Sequence, residues 1–229
     1  MKKIVIIPAY NEQGSIVETI KDIKTNAPEF DYIVINDCSK DNTLKICREK
    51  GIHVLNLPIN LGIGGAVQTG YLYAYRNNYD IAVQFDGDGQ HDAKFLEMMA
   101  ETLERDKLDM VIGSRFIENE GFQSSAVRRF GIRFFEVFIK ILFGQRITDA
   151  TSGMRMCNRK VMELFIKDYP KDYPEPETVS RLLRHKYKVK EVPVVMRERQ
   201  AGVSSISSLG KSAYYMCKVS LAILIERLR

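Results

Sequence analysis

A chain of 229 residues can bury a full core, and one domain with a smaller appendage is the expectation. The net charge of +5 suits anionic partners such as nucleotide phosphates or acidic lipid headgroups, but no nucleic-acid motif or aromatic–basic repeat accompanies it. The four cysteines (Cys38, Cys47, Cys157, Cys217) lie far apart without a Cys-x-x-Cys pair, which argues for reduced thiols and against a disulfide frame or zinc site.

Met1-Lys2-Lys3 is followed by only four apolar residues before Pro8, so no signal peptide is expected. In chain order, Lys3–Ile7 reads as a strand and Ser15–Lys24 as a periodic helix. Tyr32–Ile35 reads as a strand, Thr43–Glu49 as a helix and His53–Leu57 as a third strand. A longer helix near Gly64–Arg76 precedes the strand Ile81–Phe85, and a helix over Ala93–Asp106 precedes the strand Met110–Gly113. Strands spaced by single helices predict an α/β fold with a mostly parallel, doubly wound sheet and flanking helices. Ligands of such sheets bind beyond the carboxyl ends of the strands. Those ends carry Pro8–Glu12, Asn36–Ser39, Asn60–Gly65, Asp86–Gln90 and Ser114–Arg115, which predicts one shared pocket.

The stretch Asp86-Gly87-Asp88-Gly89-Gln90 carries the most chemistry. Two carboxylates at the mouth of an apolar strand can converge on one hard cation, which completes its shell with water and substrate phosphates. A polar Asp-Gly turn is the plain alternative. A calcium loop would place Asp86, Asp88, Gln90, Asp92 and Glu97 at its ligand positions, but it requires a glycine where His91 stands and a helix in front. His91 reads as a loop residue. Gly62-Ile63-Gly64-Gly65 hints at a dinucleotide loop, but it does not follow the first strand, and Val67 stands where the last glycine belongs. A nucleotidyltransferase would need a glycine-rich, basic loop after the first strand, and none is there.

Pro8-Ala9-Tyr10-Asn11-Glu12, Asn36-Asp37-Cys38-Ser39, Asn60-Leu61-Gly62, Asp86–Gln90 and Gly113-Ser114-Arg115, taken together, resemble the family 2 glycosyltransferases of GT-A (Rossmann-like) fold. Asp149-Ala150-Thr151-Ser152-Gly153-Met154-Arg155, Glu191-Val192-Pro193-Val194, Arg199 and Gly202 point within that family to dolichyl- or polyprenyl-phosphate sugar synthases. The resemblance implies that Pro8, Ala9, Tyr10, Glu12, Ile35 and Asp37 hold the base and ribose of a nucleotide sugar. It implies a metal site of Asp86, Asp88 and Gln90 for Mg²⁺ or Mn²⁺, with Gly87 allowing close approach. Arg115 and Arg199 would neutralise phosphate, where a planar, permanently charged fork suits oxyanions. Asp88, Arg115 and Asp149 are the expected catalytic residues. Asp149 is a base or acceptor-positioning group, or alternatively a helix cap or structural partner of Arg155. Ser152, Arg155, Glu175 and Glu177 are the acceptor candidates, and stabilising a helix start is the alternative for the two glutamates. Relatives often read Gly-x-Ser-Lys where this chain has Gly202-Val203-Ser204-Ser205, so Lys211 or the metal would have to replace that charge.

Between Arg129 and Phe143, the residues Arg129, Arg133, Glu136 and Lys140 make one narrow polar stripe on an otherwise apolar helix. A core helix needs an apolar face of only about 100°. An interfacial helix, helped by Arg128, Arg129 and Arg133, is therefore expected, with burial against a partner chain as the alternative. Ala213–Ile225, interrupted by Lys218, is a second such segment, too short to cross a bilayer. The expected organisation is a GT-A domain over 1–208 with an amphipathic insertion over 127–144, and a docking helix over 209–229.

The activity implied is inverting transfer of a hexose (glucose or N-acetylglucosamine type) from a nucleotide sugar, UDP-linked, to polyprenyl phosphate at the cytoplasmic membrane face. The expected partners are a small integral membrane protein or a second copy, and no nucleic acid. The alternatives are transfer to a glycan hydroxyl in cell-surface polysaccharide synthesis, with Asp149 as base, and a non-catalytic membrane-bound scaffold.

Overall fold

The computed structural model describes residues 1–118, 126–197 and 209–228. The strands are β1 (Lys3–Ala9), β2 (Phe30–Asn36), β3 (Val54–Asn56), β4 (Ile81–Gln84), β5 (Met110–Ser114), β6 (Arg155–Asn158) and β7 (Val189–Pro193). They form one seven-stranded sheet in the order β3-β2-β1-β4-β6-β5-β7. β1 is an interior strand, paired in parallel with β2 and β4, which explains its unbroken apolar run: strands covered on both faces have no polar side to show. Alternate side chains feed two cores. Ile4, Ile6, Ile33 and Ile35 point into one, and Val5, Ile7 and Val34 into the other.

The helices are α1 (Ile16–Asn26), α2 (Thr43–Glu49), α3 (Gly62–Arg76), α4 (Leu96–Arg105), α5 (Ala126–Phe143), α6 (Arg159–Lys167), α7 (Pro174–Arg184) and α8 (Leu209–Leu228). The helix expected over Ala93–Asp106 divides into a 3₁₀ turn, Ala93–Phe95, and α4. The glycines at the start of α3 serve packing. A Cβ on Gly64 would lie 2.0 Å from the Pro170 carbonyl oxygen, and the Gly64 N–H donates to the Lys171 carbonyl at 3.2 Å.

One strand runs against the rest. β6 is antiparallel to both β4 and β5, with Arg155 in register with Gln84 and Ile112. Its start therefore lies at the carboxyl edge of its neighbours, which delivers residues 149–154 to the edge where β1, β2, β4 and β5 end. Asn158 then caps α6, its side-chain oxygen accepting from the Val161 N–H at 3.0 Å.

α5, α7 and α8 pack together on one side of the sheet. Phe135 and Ile139 of α5 and Val219 and Ile223 of α8 are buried in the same core. The rings of Phe135 and Tyr215 meet edge to face at 5.8 Å, and Tyr173 meets Tyr215 at 4.6 Å. Arg181 of α7 is buried and bonds Glu226 of α8 at 2.9 Å, with the Asp168 carboxylate at 3.0 Å and Glu177 at 3.5 Å. Removing one member of such a buried pair costs about 3–5 kcal/mol, so α8 is fixed to α7 by charge as well as by apolar contact. The outward faces differ from an ordinary soluble surface. Phe134, Val137 (55% exposed) and Ile141 (75%) stand on α5 beside exposed Arg129, Arg133 and Lys140, while Tyr214, Leu221, Leu224, Ile225 and Leu228 stand on α8. Glu136, on the expected polar stripe, is half-buried and bonds Arg146. Among the described residues, no helix is long and apolar enough to cross a membrane.

Candidate active site

Register decides what shares the carboxyl edge. Ala9 lies beside Asn36, so β1 and β2 end level, while β4 ends at Gln84 beside Ile6 and its following turn climbs to meet the Pro8 carbonyl at Gly87. Asp37 ties these ends together: its N–H donates to the Ala9 carbonyl at 2.9 Å, and its Oδ1 accepts from the Leu61 N–H at 2.7 Å. Asn60 Nδ2 donates to the Asp37 carbonyl at 3.0 Å. Asn11 and Cys38 both adopt left-handed backbone. The turn after β1 is fixed from α2 and the loop before it: the Asn11 N–H donates to Ser39, and the Glu12 N–H donates to Thr43 at 2.8 Å. Glu12 in turn accepts from the Ser15 hydroxyl at 2.9 Å. Tyr10 stands exposed at the rim, and Pro8 and Ala9 are buried beneath it. Ile35 corrects an expectation. Its side chain is wholly buried among Ile4, Ile6 and Ile33, so it supports the sheet and offers no surface to a base.

After β4 the chain turns through the paired aspartates. Asp86 is partly exposed, Asp88 is 6% exposed, and Gly87 is buried against the Pro8 carbonyl. Asp88 Oδ1 accepts from the Gln90 N–H at 3.0 Å, closing a tight turn. A Cβ at Gly153 would lie 2.6 Å from Asp86 Oδ2, so only glycine lets the 149–154 segment pass this close to the carboxylate. Gln84 Nε2 reaches Asp86 Oδ1 at 3.4 Å. Glu175 of α7 belongs to the same group. Burial raises its carboxyl above the ordinary range and the Asp86 charge adds to that, against opposing contributions from Arg155 and Gln84.

Arg115, just past β5, is clamped by Asp149. Its Nε donates to Asp149 Oδ2 and its Nη2 to Oδ1, both at 2.7 Å. The Thr151 hydroxyl adds a bond to Oδ1 at 3.1 Å. Burial pulls the guanidinium pKa down, but the charge and hydrogen bonds of Asp149, with help from Asp86, outweigh it and the net direction is up. Asp149 is thus partnered with Arg115 and not with Arg155. Glu191 of β7 fixes this arrangement from behind, accepting from the Thr148 N–H at 2.6 Å and the Asp149 N–H at 2.7 Å.

Arg155 and Ser152 also differ from expectation. The Arg155 guanidinium is buried and donates to the carbonyls of Ala150, Ser152 and Glu175 and to the Thr178 hydroxyl, while Ser152 Oγ donates to the Gly113 carbonyl at 2.6 Å. Both side chains build the floor beneath the edge and are not presented to an acceptor. Glu177 is half-buried and faces Arg181. Arg199 and the Gly202–Ser205 run lie outside the described residues, as does the Lys211 side chain.

A family model described as Glycosyl transferase family 2 matches residues 4–165. The chain belongs to this family. An undecaprenyl-phosphate mannosyltransferase of Micrococcus luteus is 28% identical over 240 residues, covering 100% of this chain and 98% of its own. A UDP-N-acetylglucosamine–dolichyl-phosphate N-acetylglucosaminyltransferase of Methanococcus voltae is 30% identical over 218 residues, covering 82% and 83%. Glucosyl-3-phosphoglycerate synthase of Mycobacterium tuberculosis, crystallised with Mn²⁺, UDP-glucose and phosphoglyceric acid, superposes with a TM-score of 0.76 at 17% identity, over 99% of this chain and 79% of that one. That likeness establishes the shared GT-A fold.

The donor set of this glycosyltransferase suits a divalent ion of the Mg²⁺ or Mn²⁺ kind. Among the described residues, no group of three or more His, Cys, Asp or Glu could hold a metal. Asp86 and Asp88 supply two hard carboxylates, and Gln90 follows them on the same turn. Such a partial oxygen shell suits an ion that draws its remaining ligands from a substrate diphosphate and water.

Proposed function

We propose that this glycosyltransferase moves a hexose of the glucose or N-acetylglucosamine type from a UDP-sugar to polyprenyl phosphate at the cytoplasmic face of the membrane. The observation that carries the reading is the bidentate Arg115–Asp149 pair. A hydroxyl acceptor needs a general base, and both oxygens of Asp149 are already engaged. A lipid phosphate is ionised beforehand and needs only to be bound and oriented. The relatives that act on undecaprenyl and dolichyl phosphate, matched across most of this chain, support the same choice of acceptor.

In this reading Tyr10, Glu12 and Asp37 hold the nucleoside at the rim. Asp86 and Asp88, with Gln90, would hold a divalent ion, which supplies countercharge for the diphosphate. A phosphate oxygen of the acceptor forms the bond to the anomeric carbon from the face opposite the leaving group. The bond from that carbon to the nucleotide breaks as this forms, its electron pair passing to the diphosphate oxygen and the configuration inverting. Negative charge builds on the leaving group, and Arg115, held charged by Asp149, is placed to stabilise it. Arg199 would add a second cation, and Glu175, grouped with Asp86, would border the acceptor, whereas Glu177 is engaged with Arg181.

The test is a donor screen of UDP-glucose, UDP-N-acetylglucosamine and GDP-mannose with polyprenyl phosphate and Mn²⁺. The expected product extracts into organic solvent and is labile to mild acid. Transfer of label into a water-soluble glycan instead would replace the acceptor, preferred use of GDP-mannose would replace the donor, and no turnover with any donor would favour a scaffold.

Membrane association rests on the outward faces of α5 and α8, where basic residues stand among exposed apolar ones. An interfacial helix uses this pairing, the apolar side chains entering the headgroup region and the cations meeting acidic lipid. Flotation with anionic vesicles should carry the protein upward at low salt and less at high salt. Failure to float at low salt would overturn peripheral membrane binding and leave a partner chain or second copy as the occupant of these faces.

A further inference from the structure

The turn that carries the paired aspartates is held at both ends. Its exit is fixed from outside: the Gln90 carbonyl accepts from the Arg197 N–H at 2.8 Å, and the Arg197 guanidinium bridges Asp22 at 3.2 Å and Asp92 at 3.0 Å. Asp22 also accepts from the Ala93 N–H at 3.0 Å. The entry has a different anchor. Phe85 makes the last sheet bond, its N–H donating to Ile6 at 3.0 Å, and the chain then leaves the sheet. The next N–H, that of Asp86, is taken by His91 Nδ1 at 3.0 Å. His91 is only 2% exposed and stands edge-on to Phe85 with ring centres 5.0 Å apart. Because Nδ1 accepts, the ring proton belongs on Nε2, which lies 3.6 Å from Asp86 Oδ2. The imidazole therefore grips Asp86 by its backbone through Nδ1 and borders its carboxylate through Nε2.

We propose that His91 is a positioning residue for the metal: it holds the start of the Asp86–Asp88 turn so that both carboxylates are set before the ion arrives. The proposal rests on the metal reading given above. Groups that orient metal ligands without touching the metal affect affinity strongly, and their loss typically costs about 10–100-fold. The acceptor at Nδ1 is the part that matters. Asparagine carries its Oδ1 close to where Nδ1 lies and retains that acceptor, whereas leucine matches the bulk and offers none.

The experiment measures Mn²⁺ bound in the presence of UDP, from the electron paramagnetic resonance signal of free Mn²⁺, for the wild type, His91→Asn and His91→Leu. His91→Leu should weaken Mn²⁺ binding by about 10-fold or more, and His91→Asn by no more than about threefold. In turnover, the Mn²⁺ requirement of His91→Leu should rise while KM for polyprenyl phosphate stays put, a split that general loosening of the fold would not give. Should the leucine variant fail to fold, His91→Gln takes its place, since its amide lies one bond further out and misses the Asp86 N–H. Wild-type affinity in the leucine or glutamine variant, or an asparagine variant as weak as leucine, would overturn the role of His91. A wild type that takes up no Mn²⁺ with UDP would instead overturn the metal reading on which the proposal stands.

Discussion

Asp88→Asn is expected to lower kcat/KM by on the order of 10²–10³-fold, the range seen when one fixed electrostatic contact to developing negative charge is removed. At about 1.4 kcal/mol per decade this is roughly 3–4 kcal/mol of transition-state stabilisation. The substitution is mild for the fold. Asparagine retains Oδ1, so the bond from the Gln90 N–H can persist, and the turn keeps its shape. What changes is the negative charge that would hold the divalent ion beside the diphosphate. Asp88 is more enclosed than Asp86, so solvent screens it less and its loss should be felt more than that of its neighbour. Steady-state kinetics against Mn²⁺ concentration is the measurement. Partial recovery at high Mn²⁺ fits a weakened ligand, and kcat/KM within about threefold of wild type at every concentration would remove Asp88 from the chemistry.

Much of this fold was legible because burial writes itself into the sequence. β1, β2, β4 and β5 are apolar runs that end sharply in polar or glycine-rich segments, and the pocket follows from those ends. β6 was not legible. Arg155-Met156-Cys157-Asn158 is short, begins with a charge, and is stabilised by its two neighbours in the sheet, which no local pattern reports. Missing it hid how residues 149–154 reach the site. The same limit explains Arg155: a buried arginine bonded to carbonyls looks, in one dimension, like an arginine offered to a phosphate. Ile35 and Ser152 were misplaced for a related reason, since a strand or turn position does not say which face its side chain takes. His91 carried no signal because its role comes from one backbone N–H. Arg115 and Asp149 were each singled out, but their 34-residue separation concealed that they are partners.

That partnership makes the sharpest second prediction, because it separates a base from a positioning group. Asp149→Ala leaves the Arg115 guanidinium buried without its carboxylate, a change that costs about 3–5 kcal/mol. For a domain of this size the melting temperature should fall by on the order of 10 °C. Asp149→Asn keeps an acceptor for one guanidinium nitrogen and should lose less. If Asp149 positions Arg115, both variants lose activity in step with stability, and the pH profile of kcat keeps its shape because no proton transfer has been removed. Were Asp149 the base for a hydroxyl acceptor, the asparagine variant would lose activity far beyond what its loss of stability predicts. One limb of the pH profile would then vanish with it. Melting curves and pH–rate profiles on the same two proteins decide between these outcomes. They also bear on the acceptor, since an enzyme that keeps its pH profile without Asp149 does not draw a proton from its acceptor through that residue.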